Sequence, residues 1–231
     1  MTEETVQLPS RRLTTPRAAA IAGIMFALLY STAYVLIQLS IPAISQESGV
    51  LSENQARSIT LGLSFLPFAG IAFLWFMAVM RDRLGQLEDQ FFSTLFLGSG
   101  FLYLALTLAS AAIAGGILTA FTINPDLLTG SEGVLLARVI TNRINTIYAV
   151  RMAGMFMIVL GTIWVRTQIM PRWLALITYA LAAVLLISVG FSHWIILTFP
   201  AWVLLISAYI LYLNFLIQKG ELEIVGLTPD E

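Results

Sequence analysis

Apolar residues along the chain gather into six long runs, near 18–41, 59–80, 91–122, 146–165, 173–190 and 194–216. A membrane span needs about 20 mostly apolar residues to cross roughly 30 Å of hydrocarbon at about 1.5 Å per residue. All six runs meet that demand, and none contains Asp or Glu. The pattern predicts an all-α polytopic membrane protein, a bundle of six transmembrane helices. The first run is longer than the core of a signal peptide and no small-residue cleavage site follows it, so it reads as a retained span, with Thr15 as cap and Pro16 at the first helical position.

Polar positions between the runs refine the elements. Ser52 to Gln55 (SENQ) and Thr129 to Glu132 (TGSE) match the capping box, so helices two and four are expected to begin outside the membrane. Asn124-Pro125-Asp126 should stop the third helix. Ahead of span four, Leu135, Leu136, Val139, Ile140, Ile144 and Ile147 fall on one helical face, with Arg138, Thr141, Asn142 and Asn145 on the other. Pro67 and Pro200 sit within runs two and six. Each removes a backbone donor and should free a carbonyl four residues earlier, at Leu63 and Ile196, making both helix-bend candidates in the outer half of the bilayer. Small residues recur at Ala19, Gly23 and Ala27, at Ala111 and Gly115, and at Ala149 and Ala153. Such seams let helices approach closely, within one chain or between copies.

Charge then orients the bundle. Arg11, Arg12, Arg17, Arg81, Arg83, Arg166, Arg172 and Lys219 fall on one side, and Arg57, Arg138 and Arg143 on the other. The positive-inside rule therefore places both termini in the cytoplasm. This divides the chain into a disordered cytoplasmic N-terminus at 1–13, a six-helix domain at 14–217 and an acidic cytoplasmic tail at 218–231. Charged residues make up 11% of the sequence, against roughly 25% in soluble domains. With a net charge of −1 and no basic block, nucleic acid is not an expected partner. There is no cysteine, hence no thiolate metal site, thiol nucleophile or disulfide. No Walker loop, HExxH or GxSxG motif occurs. The expectation is therefore no catalytic residue, no metal and no cofactor.

One charge breaks the pattern of span four. Arg151 lies in NTIYAVRMAGMFM, roughly 22 Å by helical rise from Arg166 at the cytoplasmic end, which puts it near the outer interface. There it can snorkel to headgroups, pair with Asp126 or Glu132 of the outer loops, or bind an anion, a lipid phosphate or a substrate carboxylate. Arg143, Tyr148 and His193 complete the set of anion- or lipid-binding candidates; His193 stands in the GFSHW turn beside Trp194. The tryptophans, mostly near predicted span ends, read as an aromatic belt. Met152, Met155 and Met157 read as packing or lipid-facing residues. Gln38 and Asn214 are expected to bridge helices by hydrogen bonds. RDRLGQLEDQ, residues 81–90, reads as a solvated cytoplasmic connection or a docking surface.

The stretch MRDRLGQLEDQFFSTLFLGSGFLYLAL and the later PRWLALITYALA resemble a type found among uncharacterised multi-pass bacterial membrane proteins. The resemblance implies a bacterial cell membrane, and it brings no activity and no site residues with it. The reading that results is a non-enzymatic integral membrane protein that binds a partner or lipid. Its partners would be membrane lipids and either another protein or further copies through the small-residue seams. The alternative is a transporter or channel for a small molecule or anion, with an outward-facing cavity near Arg151.

Overall fold

In lipid, backbone polar groups must be satisfied within the chain, and a helix does this locally. The computed structural model describes residues 16–40, 53–84, 90–123, 132–168, 170–187 and 193–225, and among these there is no strand. The helices are α1 (Pro16–Ser40), α2 (Glu53–Leu84), α3 (Gln90–Ile123), α4 (Glu132–Arg143), α5 (Val150–Thr167), α6 (Arg172–Ile187) and α7 (Thr198–Val225). A π-helical segment, Ile144–Ala149, joins α4 to α5 without a break, and a 3₁₀ turn, His193–Leu197, leads into α7. The expected caps Thr15, Ser52 and Thr129, the turn at 124–126, residues 1–13 and much of the 81–90 connection lie outside the described residues.

Among the described residues, five helices are long and apolar enough to cross a membrane: α1, α2, α3, the continuous α4–π–α5 rod and α7 with its 3₁₀ turn. The expectation of six spans is met only in part. α6 has 16 residues, a rise of about 24 Å, less than a straight crossing of the hydrocarbon needs. Conversely α2, with 32 residues, measures about 48 Å and outruns the apolar core at its ends. As the TGSE pattern leads us to expect, the helix of the fourth span begins well before its apolar run, as a single rod from Glu132 to Thr167.

α1 packs along α2 and α7, α3 bridges α2 and α5, and α6 leans on α5. Contacts between helix ends fit an alternating course. Arg166 near the end of α5 lies 4.6 Å over the ring of Phe92 at the start of α3. Tyr34 late in α1 meets Trp194 before α7, and Trp173 early in α6 meets Tyr209 midway along α7.

The centre is an aromatic hub to which each of the five long elements contributes. Phe26 of α1 stands 4.9 Å from Phe73 of α2, which meets Tyr103 of α3 at 5.5 Å and Phe156 of α5 at 5.6 Å. Phe199 of α7 closes the ring against Tyr103 at 4.6 Å and Phe156 at 5.8 Å. Trp202 extends the hub to Trp164, 6.1 Å away. These two tryptophans are fully buried, whereas Trp75, Trp173 and Trp194 face outward, so the belt reading holds for only part of the set. Trp202 can be buried because its Nε1 donates to Thr178 Oγ1 at 2.9 Å, which satisfies its one polar group and ties α6 to α7. Tyr179 and Thr162 join hydroxyls at 2.9 Å between α6 and α5.

Two of the small-residue seams are used within the chain. Ala19, Ala27, Ala149 and Ala153 are buried. A side-chain carbon placed on Gly23 would collide with Ser207 Oγ of α7 and stand 2.9 Å from Phe76 Cδ2 of α2, so the missing side chain makes room for both. Asn214 does not bridge helices: its Nδ2 donates to Ile210 O of its own helix. Met157 is buried in the core, and Met152 and Met155 pack against it.

Candidate functional site

The rod formed by α4, the π segment and α5 carries Arg151, Tyr148, Arg143 and Asn145. Its N-terminal half is inside out relative to a soluble amphipathic helix. Leu136, Val139 and Ile140 are exposed, while Thr141 and Asn145 turn toward α3. In lipid, an apolar solvent, a hydrophobic face goes outward and polar side chains seek partners within the bundle, and the arrangement fits that setting.

Those partners form a directed chain. Ser110 Oγ donates to the Thr141 carbonyl at 3.2 Å, and Asn145 Nδ2 donates to Ser110 Oγ at 2.5 Å. The π segment positions this arrangement: Val150 N–H reaches Asn145 O, five residues back. A step of four residues drifts around an α-helix of 3.6 residues per turn, and a wider π turn cancels that drift. Thr141, Asn145, Ala149 and Ala153 thereby stay on the inward side of the rod. Beside them, Tyr30, Tyr103, Asn145, Ala149, Val150 and Phe199 line part of a cavity with room for one water-sized group. The Tyr30 hydroxyl neighbours those of Tyr103 and Thr107, yet Tyr103 Oη, Thr107 Oγ1 and Asn145 Oδ1 are enclosed without an aligned hydrogen-bond partner.

Three of the residues singled out from sequence, Arg151, Tyr148 and Arg143, sit on the same rod. Arg151, in the first turn of α5, is half-buried, and its Nη1 donates to Ile147 O at 3.0 Å. Among the described residues it has no carboxylate partner. Tyr148, three residues earlier, and Arg143, at the end of α4, are exposed. These three share one stretch of helix, whereas the cavity lining does not include Arg151. His193 begins the 3₁₀ turn before α7. Pro67 lies exposed within an unbroken α2. Pro200 is the third residue of α7, where a missing N–H falls among first-turn donors that have no intrahelical partner, and Ile196 lies in the 3₁₀ turn.

Sequence reasoning placed Asn145 on the polar face of the lead-in but assigned it no role, and it passed over Tyr30, Tyr103, Thr107 and Ser110. Serine and threonine recur along membrane helices bonded to their own carbonyls, as Thr141 does to Ala137 O and Thr162 to Ile158 O. Nothing in the spacing of Tyr103, Thr107 and Ser110 separates them from that background. Compared with family models, with curated proteins and with solved structures, the chain matches none, so the site is argued from its own geometry.

Proposed function

We propose that the chain is a non-enzymatic, six-span membrane protein of the bacterial cell membrane with both termini in the cytoplasm. It binds anionic lipid headgroups, or a partner presenting such a group, at Arg151, Tyr148 and Arg143. The observation that carries this reading is the single hydrogen bond from Arg151 to Ile147 O. A guanidinium has five N–H donors in a rigid fork suited to phosphate and carboxylate. The bond back to residue 147 draws the group toward the N-terminal end of α5, where exposed Tyr148 and Arg143 stand. Most of the donors remain for a ligand.

The test is native mass spectrometry of protein extracted gently from its own membrane, comparing wild type with Arg151→Gln after both are shown to be folded. Loss of an anionic lipid or metabolite from the variant supports the site and names its ligand. Identical lipid and protein cargo in both refutes it, and Arg151 is then an interfacial anchor. The same spectra report copy number, which tests self-association through the partly exposed Ala111–Gly115 seam of α3.

Transport of a small molecule or anion is the second reading, favoured by the internal cavity. It ranks lower because the cavity is water-sized and its lining holds Val150 but not Arg151. The aromatic hub also fills the bundle centre.

A further inference from the structure

The depth at which α6 stops bears on what Arg151 holds. α6 packs along α5, and three contacts set the two helices antiparallel and fix their register. Tyr179 and Thr162 join hydroxyls; a carbon on Gly161 would stand 3.4 Å from Thr178 Cγ2; one on Gly154 would stand 3.1 Å from Leu186 Cγ and 3.3 Å from the Ala182 carbonyl oxygen. Each step back along α5 is thus a step forward along α6, and Leu186 is the last residue but one of that helix. Arg151 precedes Gly154 by three residues, about 4.5 Å of rise, so it stands just past the end of α6.

It also stands on the side that α6 covers. Arg151 and Thr162 are eleven residues apart, three turns plus about 20°, so they share one face of α5. Met155 and Ile158 between them are half-buried. Arg151 therefore carries the α6-facing side of the rod to a level where α6 has ended. Its guanidinium donates to Ile147 O and, among the described residues, to nothing on α6.

The length of α6 gives the same depth. Measured from Arg172 and Trp173, both exposed at its other end, the helix rises about 24 Å, roughly 6 Å short of the hydrocarbon thickness. Val184 and Ile187 near its end are exposed, Ile187 at 77%. A guanidinium and bare apolar surface are thus offered together. A free phosphate, or a carboxylate on a protein, would have to leave water to come below the headgroup plane, at a desolvation cost that one guanidinium must offset. A phospholipid brings its phosphate on acyl chains that cover the apolar end of α6, and a leaflet sinks over a short helix at modest cost. Resting on the headgroup reading of Arg151, we propose that its ligand is an anionic glycerophospholipid of the leaflet in which α6 ends, seated over that end with its phosphate on the guanidinium and its acyl chains against Val184 and Ile187.

The test places the photoreactive amino acid p-benzoylphenylalanine singly at Ile187, Tyr148 or Leu102 of the full chain, in bilayers of phosphatidylethanolamine with a minority of phosphatidylglycerol. Mass spectrometry after illumination counts the two lipids among the adducts. At Ile187, phosphatidylglycerol should exceed its share of the bilayer about fivefold, the factor that one basic residue near a membrane surface supplies. At Leu102, exposed on α3, it should match that share. Arg151→Gln should return Ile187 to the Leu102 value, with the emission of buried Trp164 and Trp202 reporting that the variant is folded. Should it not fold, the comparison of Ile187 with Leu102 beside an unchanged Arg151 decides by itself. Enrichment at Tyr148 but not at Ile187 overturns the seat over α6 and leaves the headgroup reading standing, whereas enrichment at neither position overturns both. The proposal also fails if the Ile187 signal survives in folded Arg151→Gln, or if excess glycerol phosphate in the buffer displaces it, since the guanidinium then takes its phosphate from water.

Discussion

Gly23→Ala tests the glycine most tightly enclosed by side chains among the described residues. The new methyl carbon would stand 2.0 Å from Ser207 Oγ and 2.9 Å from Phe76 Cδ2, where ordinary contacts begin at 3.4 Å. Ser207 can swing its hydroxyl aside, but Phe76 is fully buried and stacked beside Phe73, so the ring resists. Overpacking of this kind costs about 1–3 kcal/mol. Alanine returns part of its roughly 1 kcal/mol advantage in helix propensity, leaving an expected net loss of about 1–2 kcal/mol. Ser207→Ala removes the nearer obstacle and an enclosed hydroxyl without a partner. That change alone should be close to neutral, and the double variant should recover about 1 kcal/mol of the loss. Unfolding in dodecyl sulfate, followed by the fluorescence of buried Trp164 and Trp202, reads all four corners of this cycle. Gly116→Ala serves as the reference, since a carbon there meets nothing within 4 Å. If Gly23→Ala unfolds with Gly116→Ala, the account of the α1–α7 seam is wrong.

Other substitutions probe separate links. Thr178→Val strands the Trp202 indole N–H in the core and should destabilise by about 1–3 kcal/mol, whereas Trp202→Phe combined with Thr178→Val should cost less than the sum of the single changes; the same unfolding assay measures both. Gln168 ends α5 at φ 56°, so Gln168→Val should lose about 1–2 kcal/mol and Gln168→Gly should not, a contrast that vanishes in thermal unfolding if the left-handed cap is unimportant. The chain has no cysteine, which makes single-cysteine labelling unambiguous. An impermeant maleimide added to whole cells should modify Ser48→Cys and leave Gln86→Cys and Thr228→Cys unmodified; modification of Thr228→Cys would mean that α6 does not cross.

What was legible in the sequence was whatever the bilayer dictates through composition. Length and apolar runs located α1, α2 and α3 to within a few residues, and SENQ pointed to the polar extension of α2 to Glu53. Alternation of faces before span four was also legible, but its sense was not. Leu136 and Val139 look like a core face until the surrounding solvent is known to be hydrocarbon. The π segment was illegible because INTIYA contains no residue that forbids an ordinary α turn; its register comes from Asn145 finding Ser110 across 35 positions of sequence. Trp202 shows the same limit. Sequence assigns tryptophan to the interface on average, and only the tertiary placement of Thr178 makes this one a core residue. Of the candidate site, the charge of Arg151 stood out because charge is rare here, whereas the Tyr103–Asn145 cluster is built from residue types that are common in any span.

The hub of rings bears on how the chain is made. Membrane helices enter the bilayer one after another and then associate, and the helices supplying Phe26, Phe73, Tyr103 and Phe156 all precede α7 in the chain. Phe199 contacts rings from all four of them, and Trp202 joins it to the wall formed by α5 and α6. Until the last helix emerges from the ribosome, the earlier ones enclose an unfilled centre and can only be held as a loose assembly. α7 is thus the keystone of biogenesis, and a nascent chain that stops short of it presents to quality control an open bundle in place of a finished one.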